Sequence, residues 1–133
     1  DMKVNRSEKV DSQSVMMEGA TGCSVKWLIN DTDGAPNFAM RQFAVEPNGH
    51  TPKHRHPYEH EVYVLSGNGI VLEGDQEHPI GAGDFIYVHP DEIHQFRNTG
   101  NTPLTFLCLV PHIPEGTPVE TLPECVQVAK KSH

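Results

Sequence analysis

Turn-forming residues interrupt this chain about every ten positions, and that spacing limits its fold more than any other feature. Asp31-Thr32-Asp33-Gly34, Pro47-Asn48-Gly49, Ser66-Gly67-Asn68-Gly69, Gly74-Asp75, Pro90-Asp91 and Asn98-Thr99-Gly100-Asn101 are clusters of residues that supply a positive φ, a fixed φ or a side-chain turn bond. Between them lie runs at 24–30, 37–46, 60–65, 70–73, 84–89, 93–97 and 104–110, rich in Val, Ile, Phe and Tyr. Such runs are too short for useful helices and suit strands. The chain therefore reads as all-β, a small antiparallel sandwich or barrel. Gly67-Asn68-Gly69 reads as a hairpin turn, and no helix follows it, so it is not a phosphate loop. One helix start stands in the tail, at Thr117-Pro118-Val119-Glu120, and Pro123 cuts it short. Residues 1–14 are polar and need an early strand to order them.

A length of 133 residues suits one domain with a core of its own. The net charge of −8 argues against nucleic acid or an anionic membrane as partner, since each calls for a basic patch. A small anionic substrate stays open, because a bound cation sets the local field. No apolar run has the length of a membrane span, and no signal peptide is seen at the start. Cys23, Cys108 and Cys125 are scattered and odd in number, neither a disulfide framework nor a zinc ribbon. A reducing cytoplasm is the expected location.

The chemistry concentrates in His54-Arg55-His56-Pro57-Tyr58-Glu59-His60, which puts three imidazoles into seven residues. Imidazole is the commonest protein ligand for a transition metal. Side chains alternate faces along a strand, so His54 and His56 point the same way, about 6.6 Å apart. Pro57-Tyr58-Glu59 turns the chain, and His60 then opens a strand on which it shares a face with Val62 and Val64. Glu61, Tyr63 and Leu65 share the other face. A fourth candidate, His94, follows a second strand–proline–strand segment, with Phe96 on its side of the pleat. His50, His78, His89, His112 and His133 lie in turns, at a strand end or in tails and read as exposed. Arg41 shares a strand face with Phe43 and Val45, and an arginine there needs a partner, either an acid at a subunit interface or an anion in the cavity. Cys108 lies between Phe106 and Val110 on one face and reads first as a small buried hydrophobe. Trp27 reads as core or subunit contact.

Together the two segments resemble the paired motifs of the cupin superfamily, a glycine-led His-x-His ahead of an acidic residue and a glycine, then Gly…Pro…His-x3-Asn. Gly49, His54, His56 and Gly67 match the first motif; Gly83, Pro90, His94 and Asn98 match the second. Two departures stand out. Gly49 is one residue closer to the first histidine than usual, and His60 and Glu61 compete for the position where a glutamate is familiar. Parity favours His60, with Glu61 as the alternate ligand. The stretch His54–Gly67 and the strand Phe106–Pro111 are also similar to small bacterial single-domain cupins that bind manganese through four histidines.

The resemblance implies a cupin jelly roll, or double-stranded β-helix, over residues 21–113. Residues 1–20 would form an arm or edge strand, and 114–133 a tail with a short helix. It further implies one divalent transition metal per chain, manganese first and iron, nickel, zinc or copper next, held by His54, His56, His60 and His94. Arg41, Phe106 and Cys108 are the candidate pocket residues, and no separate general base is visible. Four imidazoles would close a tetrahedral zinc site but leave two positions on an octahedral ion. The expected activity is a dioxygenase-type oxidoreduction on a small organic substrate. The alternatives are a non-redox isomerase, lyase or cyclase, and a sensor that binds without turnover. A homodimer is also expected.

Overall fold

The computed structural model describes residues 1–123. Cys125, His133 and the end of the expected 114–133 tail fall outside them. Eleven strands follow one another: β1 Gln13–Ser14, β2 Thr21–Ile29, β3 Phe38–His50, β4 His54–Arg55, β5 His60–Ser66, β6 Asn68–Glu73, β7 Gln76–Gly81, β8 Phe85–Val88, β9 His94–Asn98, β10 Leu104–Pro111 and β11 Glu120–Thr121. The helical elements among the described residues are two single 3-10 turns, Ser7–Lys9 and Asp31–Asp33. None of them is long or apolar enough to cross a membrane.

All strand pairs are antiparallel, and the order β11-β4-β9-β3-β10-β5-β8 runs as one curled sheet. β1 and β2 extend it beside β3, while β6 and β7 extend it beside β9. Two walls result, and β3 belongs to both. Its first part pairs with β2 and β10, and His50 at its end pairs with Arg97 of β9. Pro47-Asn48-Gly49 was expected to end this strand; instead it bends it. Gly22 of β2 alone faces residues 46–49 of β3, because Cys23 pairs with Val45 and Thr21 with His50. Such a bulge leaves extra residues unpaired and sharpens the local twist. Asn48 takes φ +68°, and a Cβ on Gly49 would sit 2.6 Å from the Thr21 carbonyl oxygen.

Gly67 is a second correction. The chain reads there as a hairpin, yet β5 and β6 do not pair: β5 lies between β10 and β8, and β6 between β7 and β9. Gly67 is the corner where the chain leaves one wall for the other. Its φ of +80° and the Pro103 carbonyl oxygen, 2.4 Å from any added Cβ, admit only glycine. β7 escapes the sequence reading because Gln76-Glu77-His78-Pro79 is polar and contains proline. It pairs only with β6, and an edge strand tolerates a residue without an N–H. The tail strand β11 corrects the helix expected from Thr117. Pro114, Pro118 and Pro123 keep this stretch from winding, and Glu120 and Thr121 pair with Arg55 and His54.

Alternation along the strands builds the core. In β10, Leu104, Phe106, Cys108 and Val110 are buried while the residues between them are half-exposed; in β5, His60, Val62 and Val64 are buried. Val45, Val71, Ile80 and Phe96 complete the interior. Full burial of a side chain such as Phe106 or Leu104 contributes about 1.5–3 kcal/mol.

Candidate metal centre

Four imidazoles meet inside one end of this barrel. His54 and His94 face each other as a register pair across β4 and β9, His56 follows directly, and His60 opens β5 from the other wall. One nitrogen from each ring lies within 4.8 Å of the others. His56, His60 and His94 are buried and His54 is partly so. The backbone N–H of Asp91, a turn residue with φ +65°, donates to the His56 carbonyl at 2.7 Å and fastens the second motif to the first.

Hydrogen bonds set two of the ring tautomers. Nδ1 of His56 lies 2.8 Å from the Tyr58 carbonyl, and Nδ1 of His94 lies 2.8 Å from the Glu92 carbonyl. A carbonyl only accepts, so each Nδ1 carries a hydrogen and each Nε2 offers its lone pair to the centre. Metal-bound histidines are oriented by this same backbone contact. The Tyr58 ring stacks on His56 at 3.8 Å between centroids and holds it further. Nε2 of His60 lies 3.0 Å from Nε2 of His56, and Nε2 of His54 lies 3.1 Å from Nε2 of His94. Nδ1 of His54 is buried without a partner.

Burial is the main reason all four rings resist protonation. It holds His54 at about 3, with the positive charge of His94, His56 or Arg41 adding to the effect, and His60 at about 2, with Arg41 next in weight. His94 falls to about 4, and His56 is lowered as well. Four neutral rings with converging nitrogens at metal-binding distances form a donor set suited to a divalent transition ion.

Glu61, the alternate ligand, does not join this group. It follows His60 and so points outward from β5, where it is exposed. Its carboxyl is pushed up to about 7 by partial loss of water and by Glu59 beside it. Among the other expected residues, Phe106 is buried against Phe43 and Phe96, stacked at 5.4 Å and 4.6 Å. Arg41 enters the cavity, donating from Nη2 to Cys108 Sγ at 3.1 Å. Burial raises the Cys108 thiol despite Arg41, so it stays protonated and a poor nucleophile. His50, expected to be exposed, is half-buried and contacts Thr51 and Gln95.

A cavity of about 130 Å3 lies beside His54, His60 and His94, walled by Arg41, Phe43 and Phe106. Val15 and Met17 of the N-terminal arm also line it, and neither carries a sequence signal for that role. A wider groove of about 480 Å3 lies across His94, between β6–β7 and β8, with the polar residues Glu73, His78, His89 and Glu92 at its edge. The smaller cavity is the one in reach of three of the four rings.

The family model for the Cupin domain matches residues 41–110. The oxalate-binding protein of Thermotoga maritima is 37% identical over 113 residues, covering 82% of this chain and 93% of that protein. The 1-methylthio-D-xylulose 5-phosphate methylsulfurylase of Rhodospirillum rubrum is 34% identical over 71 residues, which cover 53% of this chain and just under half, 46%, of the enzyme. Among solved structures, the polyketide cyclase RemF from Streptomyces resistomycificus superposes with a TM-score of 0.85 at 33% identity, covering 93% of this chain and 89% of that one.

Proposed function

We propose, from the premise that this chain belongs to the Cupin domain family, that it is a metal-dependent enzyme acting on a small, oxygen-bearing, enolisable substrate. The carrying observation is the four imidazoles converging on one point beside an apolar cavity. His54, His56, His60 and His94 would hold one divalent ion, manganese first, with iron, nickel, zinc or copper as the other candidates. When bound, such an ion supplies Lewis acidity to a carbonyl or enolate oxygen. Among the relatives, one is a polyketide cyclase, another a 1-methylthio-D-xylulose 5-phosphate methylsulfurylase and a third an oxalate-binding protein, and none of these three is named as a dioxygenase. The non-redox alternative thereby moves ahead of the dioxygenase.

The residues around the cavity suit that role. Phe43, Phe96 and Phe106 form an apolar wall that keeps water away from a bound substrate. No aspartate or glutamate is among the cavity-lining residues described, and Cys108 stays a thiol. The protein therefore acts by stabilising enolate charge rather than by supplying a carboxylate base. A dioxygen-consuming reaction is the second reading, because four nitrogens on a six-coordinate ion leave room for substrate and dioxygen together.

Deuterium exchange separates the two. The metal-loaded chain is expected to speed exchange at the α-carbon of ethyl 2-methylacetoacetate in D2O under argon by about tenfold or more over the metal-free chain. Oxygen uptake in air with no exchange under argon would favour the second reading. Tight binding without turnover in either gas would make the protein a sensor.

The outer face of β5 and β8 exposes Tyr63, Leu65, Phe85 and Tyr87, with Tyr63 and Phe85 as register partners, and Phe85 is 82% exposed. β8 also ends the strand order, and these features support a homodimer through this face. A dimer mass is expected in solution, falling to a monomer in Phe85→Glu; a monomer mass for the unaltered chain at every concentration would refute it. The acidic net charge speaks against a polyanionic partner, and the unpaired buried thiols of Cys23 and Cys108 suit the cytoplasm as location.

A further inference from the structure

Arg41 is a permanent cation inside the barrel with no anion to meet it. It pairs in register with Trp27 on β2 and Cys108 on β10. The guanidinium lies 4.9 Å from the Phe43 ring centre and 5.6 Å from that of Trp27. Its hydrogen-bond contacts are Cys108 Sγ, a weak acceptor, and His60 Nδ1 at 3.5 Å. Nε is shielded from solvent and has no partner, and Arg41 forms no ion pair with a described carboxylate. Arg41 is half-buried, and a cation partly withdrawn from water without a counter-charge favours a guest that brings one.

His60 adds a second demand. In the metal-free ring, Nε2–H can donate to His56 while Nδ1 accepts from Arg41. An ion held at Nε2 would leave the ring hydrogen on Nδ1, and two donors would then face each other. His56 and His94 meet that requirement with backbone carbonyls; His60 has only a guanidinium. One acceptor placed against both donors resolves the conflict.

The geometry points to Arg41 and His60 Nδ1–H as a two-donor cradle for an oxyanion, which makes the ligand of this cavity an organic anion with a carboxylate or enolate oxygen at that position. This rests on the four-histidine metal reading. The anion must be small, since the cavity holds about 130 Å3, and its carbon frame lies against Phe43 and Phe106. Arg41 would set specificity for charge; the histidines alone would accept neutral chelators as readily.

Oxalate serves as the probe, titrated calorimetrically into zinc-loaded protein whose metal content is measured in parallel. Arg41→Gln is expected to weaken oxalate binding about 30-fold or more, and Arg41→Lys about 5- to 10-fold, because lysine keeps the charge but not the planar fork. Both should keep one zinc per chain. Oxalate affinities within twofold of the unaltered protein, at full zinc content, would overturn the cradle. If Arg41→Gln fails to fold, the Nε–Hε resonance of Arg41 in the unaltered zinc form decides, identified by its loss in Arg41→Lys. It should move on adding oxalate, and a fixed signal under saturating oxalate would overturn the assignment. A chain that takes up no metal at all overturns the metal centre instead; oxalate binding to the metal-free protein, with and without Arg41→Gln, then settles the cradle by itself.

Discussion

Alanine at His94 is expected to abolish stoichiometric metal binding while leaving the barrel folded. The other three imidazoles come from one short stretch, and His94 alone is delivered by β9 from the second motif. Its loss should cost more than the roughly 10–100-fold in affinity that follows removal of a partner merely supporting a ligand. Elemental analysis should fall from about one ion per chain to a trace. His60→Ala should behave in the same way. Glu61→Ala should keep its metal, since that carboxyl lies on the outer face of β5. Metal retained by His60→Ala and lost from Glu61→Ala would show the ligand assignment to be wrong.

Acid should destabilise the metal-free protein well above the pH at which carboxylates titrate. In the unfolded chain, histidines take up protons near the ordinary value of 6.5. In the folded chain, His54, His60 and His94 stay neutral down to about 3, 2 and 4. Below 6.5 the unfolded state therefore binds more protons than the native state, and stability falls as pH falls. At pH 5 the gap is about 1.5 pH units, or about 2 kcal/mol per histidine, so about 3–6 kcal/mol in all once water entry is allowed for. That is a large share of the roughly 5–15 kcal/mol available to a domain. Glu61 works in the opposite direction, its pKa being raised, but it is exposed and counts for little. Urea midpoints measured at pH 7.5 and pH 5 after chelation should differ clearly, and equal midpoints would refute the account. Metal should be released over the same range, because protons and the ion compete for the same lone pairs.

Strand identity and parity were the legible part of this chain. The alternation that set His60 with Val62 and Val64, and Cys108 with Phe106, is the alternation the structure shows. Which strands lie side by side, and so what each face meets, was not legible. Arg41 had equal claims on a subunit interface and on the cavity, because its strand records its neighbours on one face but not Cys108 on the adjoining β10 or His60 on β5 beyond it. Gly67 gave the right residue type and the wrong topology, since a hairpin and a corner between walls both need positive φ. Tyr58 as a support for His56, and Val15 and Met17 as cavity lining, depend on a turn and an arm with no periodicity to read.

The spacing of the four imidazoles along the chain also bears on the order of events during synthesis. His54, His56 and His60 leave the ribosome almost together, and a local three-nitrogen cluster needs no long-range pairing to begin capturing an ion. His94 emerges later and arrives only when β9 lies down beside β4, placing it opposite His54. An ion held loosely by the first three rings would lower the entropic cost of that closure and tighten as the fourth ring docks. The same early capture would stabilise the open chain as well, so the gain in final stability from metal would be smaller than its affinity for the finished site suggests.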